Sequence, residues 1–367
     1  MFRQKLCATA LIMLGLASGA GAEESDVQGI ADLVKLLSGV SVEGLYYLAY
    51  QNGESNGAAF NQFTVTRGAT TIKKKLTGNL DSRITLDTYQ DKDGNMQVRL
   101  KYAYALFKFA DLGPLTKPNL EFGQVHNAWL DFEENLNLYR LQGTMFIERV
   151  GVFNSADFGF TAAGLLGGQV SDDYQKSVNK KYPGRYGSFA LGLYNGGGYA
   201  AVEANKSKVF QGRLTVRPLP DVVPGAQISY LVILGKGNKP ETDTTTVPDW
   251  QTSLVMLSYE QQLFAVTGQY LTGKGRNKGD WSDAVTYNGY SVFAELKPTG
   301  MWRIIARMDQ LDPDKDVSDN ENTRIIAGVG YDFGHRNLLL LDYDAVNFKA
   351  ANAEDPSSVN LTMQVSF

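Results

Sequence analysis

The stretch Asn360-Leu361-Thr362-Met363-Gln364-Val365-Ser366-Phe367 alternates polar and apolar residues without a break and closes on an aromatic. Successive side chains of a β-strand point to opposite faces, so these residues make a strand with one apolar edge and one polar edge. In a transmembrane barrel the first edge meets lipid and the second a hydrated interior. The alternation predicts an all-β fold, a transmembrane antiparallel β-barrel.

A terminal Phe on such a strand resembles the assembly signal of bacterial outer-membrane proteins. The opposite end agrees. Arg3 and Lys5 precede an apolar run at 6–16, and Ala20-Gly21-Ala22 supplies an A-x-A site. Residues 1–22 are therefore expected to be a removed signal peptide. The single Cys7 would leave with it, so neither a disulfide nor a Cys-x-x-Cys-His haem site is expected. Beyond Ala22 no run reaches the ~20 apolar residues of a spanning helix. Only closed sheets and helices satisfy their backbone groups in lipid, so a membrane location implies a barrel and outer-membrane lipid as its partner. The formal net charge of −4, with no basic tail, argues against nucleic acid as a partner.

Sixteen strands are expected, at 40–50, 60–76, 80–90, 96–109, 120–125, 157–164, 188–194, 208–217, 226–235, 252–259, 263–272, 287–297, 302–311, 323–333, 337–348 and 359–367. Short turns at 260–262, 298–300 and 334–336 alternate with long polar loops at 273–286, 312–322 and 349–358. An even count puts both chain ends on the periplasmic side, with eight longer loops outside. The stretch 171–187 reads either as a further strand pair or as one long turn. A barrel of this size leaves an aqueous lumen, so passive passage of small hydrophilic solutes and ions is the default function.

Clean alternation also assigns faces. Ile304, Ala306 and Met308, with Ile325, Ala327, Val329 and Tyr331, are expected toward lipid. Leu214, Val216, Ile84, Leu86, Val98, Leu100 and Tyr102 join them. A charge on the lipid face at mid-depth costs ~2–4 kcal/mol, so Arg83, Arg99, Lys101, Arg213, Arg217, Arg303, Arg307 and Arg324 are expected inside. Asp87, Asp309, Asp332, Asp342, Asp344 and Glu295 are the inward acids. Basic groups exceed acids in this set, which favours small anions; the plain alternative is that these charges solvate the wall and pair with one another.

Residues 127–156 break the hairpin rhythm. Trp129, Phe132, Tyr139, Phe146 and Phe153 are interleaved with Glu133, Glu134, Arg140, Glu148 and Arg149, too apolar for a loop in bulk water and too long for an ordinary hairpin. Folded inward as the third external loop, this segment would constrict the bore and bring those five charges across it. The alternative is a surface lid or a contact between subunits.

The run Phe63 to Asp87, Phe122-Gly123-Gln124, Glu133-Glu134, Phe146-Ile147-Glu148-Arg149, Asp157-Phe158-Gly159 and Gly192-Leu193-Tyr194-Asn195-Gly196 resemble the phosphate-selective porin O/P-like family, over roughly 60–195. The resemblance implies a sixteen-stranded passive pore in a homotrimer. It also implies, for phosphate-selective members, an arginine ladder with lysines along the pore. Here the inward arginines are interspersed with Asp and Glu.

Residues 25–38 are expected to form a short periplasmic helix, capped by Ser25, with Val27, Ile30, Val34 and Leu37 on one stripe and Gly39 as its end. Catalysis is disfavoured: His126 and His335 are the only histidines, and no G-x-S-x-G or His/Cys metal spacing exists. No cofactor and no metal are expected. A second class of function stays open, a barrel sheath around a cytochrome partner in an electron-transfer conduit, which requires an open bore.

Overall fold

The computed structural model describes residues 32, 37–91, 93–242, 246–276, 285–350 and 353–367. The expected signal peptide, and the expected helix at 25–38 apart from Asp32, Leu37 and Ser38, lie outside the described residues. Sixteen antiparallel strands follow: β1 Val40–Ser55, β2 Ala58–Lys75, β3 Leu80–Gln90, β4 Met96–Lys108, β5 Leu115–His126, β6 Ala156–Leu166, β7 Gly187–Tyr194 and β8 Val209–Val216. The second half comprises β9 Ala226–Lys236, β10 Asp249–Glu260, β11 Phe264–Lys274, β12 Thr286–Leu296, β13 Trp302–Asp312, β14 Asn322–Gly334, β15 Asn337–Phe348 and β16 Ser357–Ser366. Each strand pairs with its sequence neighbours and β16 closes on β1, from Leu45 opposite Ser366 to Glu54 opposite Ser357. Closure leaves no unpaired sheet edge in the hydrocarbon.

The seam is built around the terminal aromatic. Phe367 exchanges two backbone hydrogen bonds with Gly44, at 3.0 and 3.2 Å, and its ring stacks with Tyr46 at 6.4 Å. A β-carbon on Gly44 would lie 2.3 Å from that ring, so any larger residue would have to displace it. Outside, Ile304, Val329, Leu361 and their neighbours stay exposed, as lipid-facing side chains must. Trp302, Tyr331 and Phe333 stack edge to face, at 5.3 and 4.9 Å, as part of a periplasmic aromatic girdle.

Two expectations are corrected, and one open alternative, at 171–187, is decided. The loop expected at 51–59 is a two-residue turn: β1 and β2 run on to Asn56-Gly57, both left-handed (φ 52° and 68°). This is the Asn-Gly hairpin signal, whose twist matches that of its strands. The stretch 171–187 is one long periplasmic connection containing the helix Asp172–Ser177. Tyr102 faces inward. Thr85 pairs with Tyr102 but Leu86 with Leu100, so Lys101 is an extra residue, and this bulge turns both Lys101 and Tyr102 into the lumen, 4% and 8% exposed.

Candidate functional site: a loop-constricted bore

The loop between β5 and β6 folds into the barrel, and local chemistry sets its first bend. Asn127 Oδ1 accepts hydrogen bonds from the backbone N–H groups of Trp129 (3.0 Å) and Leu130 (2.8 Å), which starts the helical turn Leu130–Glu133. Asn127 Nδ2 donates to the carbonyl of Asn154 (2.7 Å), tying the two stems together. Trp129, Phe132, Met145, Phe146, Ile147 and Phe153 then pack on Val209, Leu231, Ile233, Trp250, Leu254, Met256, Leu271 and Tyr287 of the inner wall. At its far end Tyr139 and Leu141 reach Tyr47, Phe293, Ile305, Leu338 and Leu340. The loop thus extends from the β8–β12 wall to β15 and β1.

The wall had advertised this contact. Leu231-Val232-Ile233-Leu234, Leu254-Val255-Met256-Leu257 and Leu338-Leu339-Leu340-Leu341 lose the alternation because both faces are apolar, one against lipid and one against the loop.

Polar clamps complete the anchorage. Glu133 is buried, accepting from Trp129 Nε1 (2.7 Å) and Gln269 Nε2 (2.6 Å). Burial pushes its carboxyl above the ordinary Glu value, against those two hydrogen bonds. Arg307 donates to Asp309 twice at 2.8 Å and to the carbonyl of Thr144 (3.0 Å); Arg149 adds a bond to Asp309 (3.1 Å). Burial first, then the neighbouring Arg307 and Arg324 guanidiniums, pull Arg149 below its usual value. Tyr139 Oη donates to Glu295 at 2.5 Å.

Beside the loop the bore holds a cavity of about 430 Å³ between the loop, β1–β4 and β14–β16. Arg99, Lys101, Arg140, Glu148 and Arg324 line it, with Arg67, Asp87, Asp342, Asp344, Tyr47 and Tyr199. Most of the charges are paired: Arg99 with Asp87 (2.9 Å), Arg140 with Glu134 (2.9 Å) and Glu148 (2.8 Å), and Arg324 with Asp344. Two are not. Among the described residues no carboxylate lies within ion-pair distance of Arg67 or Lys101. Arg67 sits 5.8 Å from the Tyr47 ring centre, and Lys101 5.8 Å from those of Tyr102 and Tyr199. Tyr199 is aimed by Asp157, whose Oδ2 accepts from the N–H groups of Gly196 (2.9 Å) and Gly198 (3.1 Å) and so folds the next external loop inward.

Several residues expected on the pore wall lie elsewhere. Arg213 is buried under the loop, donating to the carbonyl of Ala128 (3.0 Å), Ser188 Oγ (2.9 Å) and Thr215 Oγ1 (2.7 Å). Arg217 donates to the carbonyl of Gly184 (3.3 Å), and Arg303 to Asp332 (2.6 Å) near the periplasmic rim. Arg83 donates to His126 Nε2 (3.2 Å), whose Nδ1 meets Glu121 (2.8 Å). Glu133, Arg149 and Arg307 hold the loop to the wall. Inward orientation was necessary for lining the passage but not sufficient, because the loop covers the inner wall along β8–β12.

Arg67 was missed. Phe63 and Val65 face lipid, and simple alternation would carry Arg67 outward with them. A bulge between Tyr47 and Leu48 makes Thr66 the extra residue and turns Arg67 inward opposite Tyr47. The signal was present in the sequence, since counting back from Ile72 puts residue 67 on the inner face and counting forward from Phe63 does not.

Neither a protein-family model nor a curated protein matches the sequence. Solved structures do match. An anion-selective porin from Comamonas acidovorans superposes with a TM-score of 0.62 at 12% identity, over 89% of this chain and 99% of that one. Salmonella typhi OmpF, in complex with daunomycin, gives 0.59 at 12% identity over 89% and 97%. The trimer form of the Vibrio cholerae outer-membrane protein OmpT gives 0.57 at 11% identity over 89% and 99%. The chain has the sixteen-stranded barrel fold of outer-membrane porins.

Proposed function

We propose that this protein is a porin of the bacterial outer membrane, a passive diffusion channel for small hydrophilic solutes and ions with a preference for anions, and not an enzyme. The observation that carries the reading is the hydrated cavity left beside the inward loop, walled by the unpaired cations Arg67 and Lys101. A fixed positive charge without a carboxylate partner raises the local concentration of anions in a narrow, low-dielectric passage. The loop also weighs against the cytochrome-sheath reading, because it occupies the space a protein partner would need.

Two finer assignments belong to the same proposal. Kinship with the phosphate-selective porin O/P-like family follows the resemblance, but selectivity for phosphate does not, because Arg99, Arg140 and Arg324 around the passage are paired with carboxylates and, among the described residues, no dense arginine ladder stands beside Arg67 and Lys101. Assembly as a homotrimer follows that resemblance and the trimeric neighbour. Purified protein in planar bilayers under a KCl gradient tests the reading. Stepwise conductance with an anion-favouring reversal potential is expected, and the absence of conductance would refute the channel. Phosphate block of chloride current tests the specificity, and light scattering of the detergent-solubilised protein tests the subunit number.

A further inference from the structure

The segment 167–186 connects β6 to β7 at the periplasmic end, where the other turns are short. It does not hang into solvent. Gln169 and Gly184 form an antiparallel bridge at its neck, and Ser171 Oγ accepts from the N–H of Tyr174 (3.3 Å), starting the helix Asp172–Ser177. Beyond the helix the chain turns up into the barrel and meets the constriction loop from below. Tyr182 Oη donates to Asp131 (2.6 Å), and its ring stands edge-on to Phe132 at 5.2 Å. Asn179 Nδ2 donates both to the carbonyl of Asn135 (2.8 Å) and to Glu260 of β10 (2.9 Å).

Arg213 joins the pieces. Its guanidinium lies 4.3 Å from the Phe132 ring centre and 5.2 Å from that of Tyr182, while its nitrogens bind the loop carbonyl of Ala128 and the wall hydroxyls of Ser188 and Thr215. Arg217 holds the neck through the carbonyl of Gly184, with its guanidinium 5.5 Å from the Tyr174 ring centre. Tyr182 has φ of +48°, a left-handed conformation that a bulky residue adopts only when its surroundings impose it.

We propose that 167–186 is a periplasmic strut, a second constriction element that braces the loop from beneath and closes the β7–β10 half of the bore. Permeation is thereby confined to the side of Arg67 and Lys101. Tyr182 and Asn179 are its positioning residues. The inference rests on the porin reading for its effect on conduction, but its mechanical content does not.

The experiment uses two variants of the full chain. In the first, 170–183 are replaced by Asn-Gly between Gln169 and Gly184, which already form a bridge. The second is Y182F/N179A. A heat-modifiable gel shift verifies barrel closure in both. In planar bilayers the excised variant is expected to show a larger and noisier single-channel current. In the double variant, transient openings to that larger level should increase on the order of a hundredfold, at about fivefold for each of the three hydrogen bonds lost. In the folded state both variants should also expose the loop to trypsin at Arg140 and Arg149. A folded excised variant with wild-type current, or with the loop still protected, overturns the strut; if that variant fails to fold, the double variant decides by the same two readouts. A silent wild-type channel would refute the porin reading instead, and the trypsin result would still decide the strut.

Discussion

Replacing Lys101 or Arg67 by Gln removes a unit charge from the passage while keeping a polar side chain of similar reach. An anion passing about 5 Å from either group gains at least 0.8 kcal/mol or so by Coulomb's law at the dielectric of water, which is about a fourfold enrichment. Potassium is repelled by the same factor, so each single variant should lower the chloride-to-potassium permeability ratio roughly sixteenfold, and R67Q/K101Q roughly 250-fold if the two act independently. The paired charges dilute neither effect, because Arg99, Arg140 and Arg324 each carry a carboxylate partner. Reversal potentials in KCl gradients near 0.1 M, where the Debye length is about 10 Å, give the ratio directly; near 1 M it shrinks to about 3 Å and the difference should fade. Lys73→Gln is the control, since Lys73 is exposed and paired with Glu43 at 2.8 Å. A double variant that keeps the wild-type reversal potential at low salt would refute the assignment of selectivity to these two residues.

Excising 129–146 should raise single-channel conductance, since this segment occupies the half of the bore beside β8–β12; an unchanged current would show that it does not narrow the passage. Trp129→Ala removes a fully buried indole and its bond to Glu133, at a cost of about 3–5 kcal/mol. Its loop should be cut by trypsin at Arg140 in the folded barrel, and continued protection would count against the packing argument. Anchorage of the loop should also depend on pH through Glu133. Its folded-state value is raised above the ordinary 4.5, so the stabilisation is complete below that value and is lost as pH rises through the folded-state value. Protection of the loop from an acid-tolerant protease should accordingly decline as the pH rises above 4.5 in the wild type and stay flat in E133Q, as checked by digestion after pre-equilibration at each pH.

The barrel and its strand faces were legible because alternation with period two is a property of each strand by itself. Lipid on one side and water on the other punish any exception, so Ile304 and Arg307, or Leu214 and Arg213, could be assigned without knowing their neighbours. The inward loop was legible too, from the surplus of aromatics in 127–156. Tertiary structure decided the rest. Bulges at Thr66 and Lys101 reverse the count locally and turn Arg67 and Tyr102 inward, and a bulge is defined by the partner strand as much as by its own. Which inward arginines meet water depended on where the loop lay: Arg99 and Arg324 face the cavity, whereas Arg213 and Arg307, drawn from the same pattern, bind loop carbonyls. The strut at 167–186 has no period of its own, because its position comes from Asp131, Asn135 and Glu260, far from it along the chain. Periodicity specifies which way a side chain points; only the packing of distant segments specifies what it meets there.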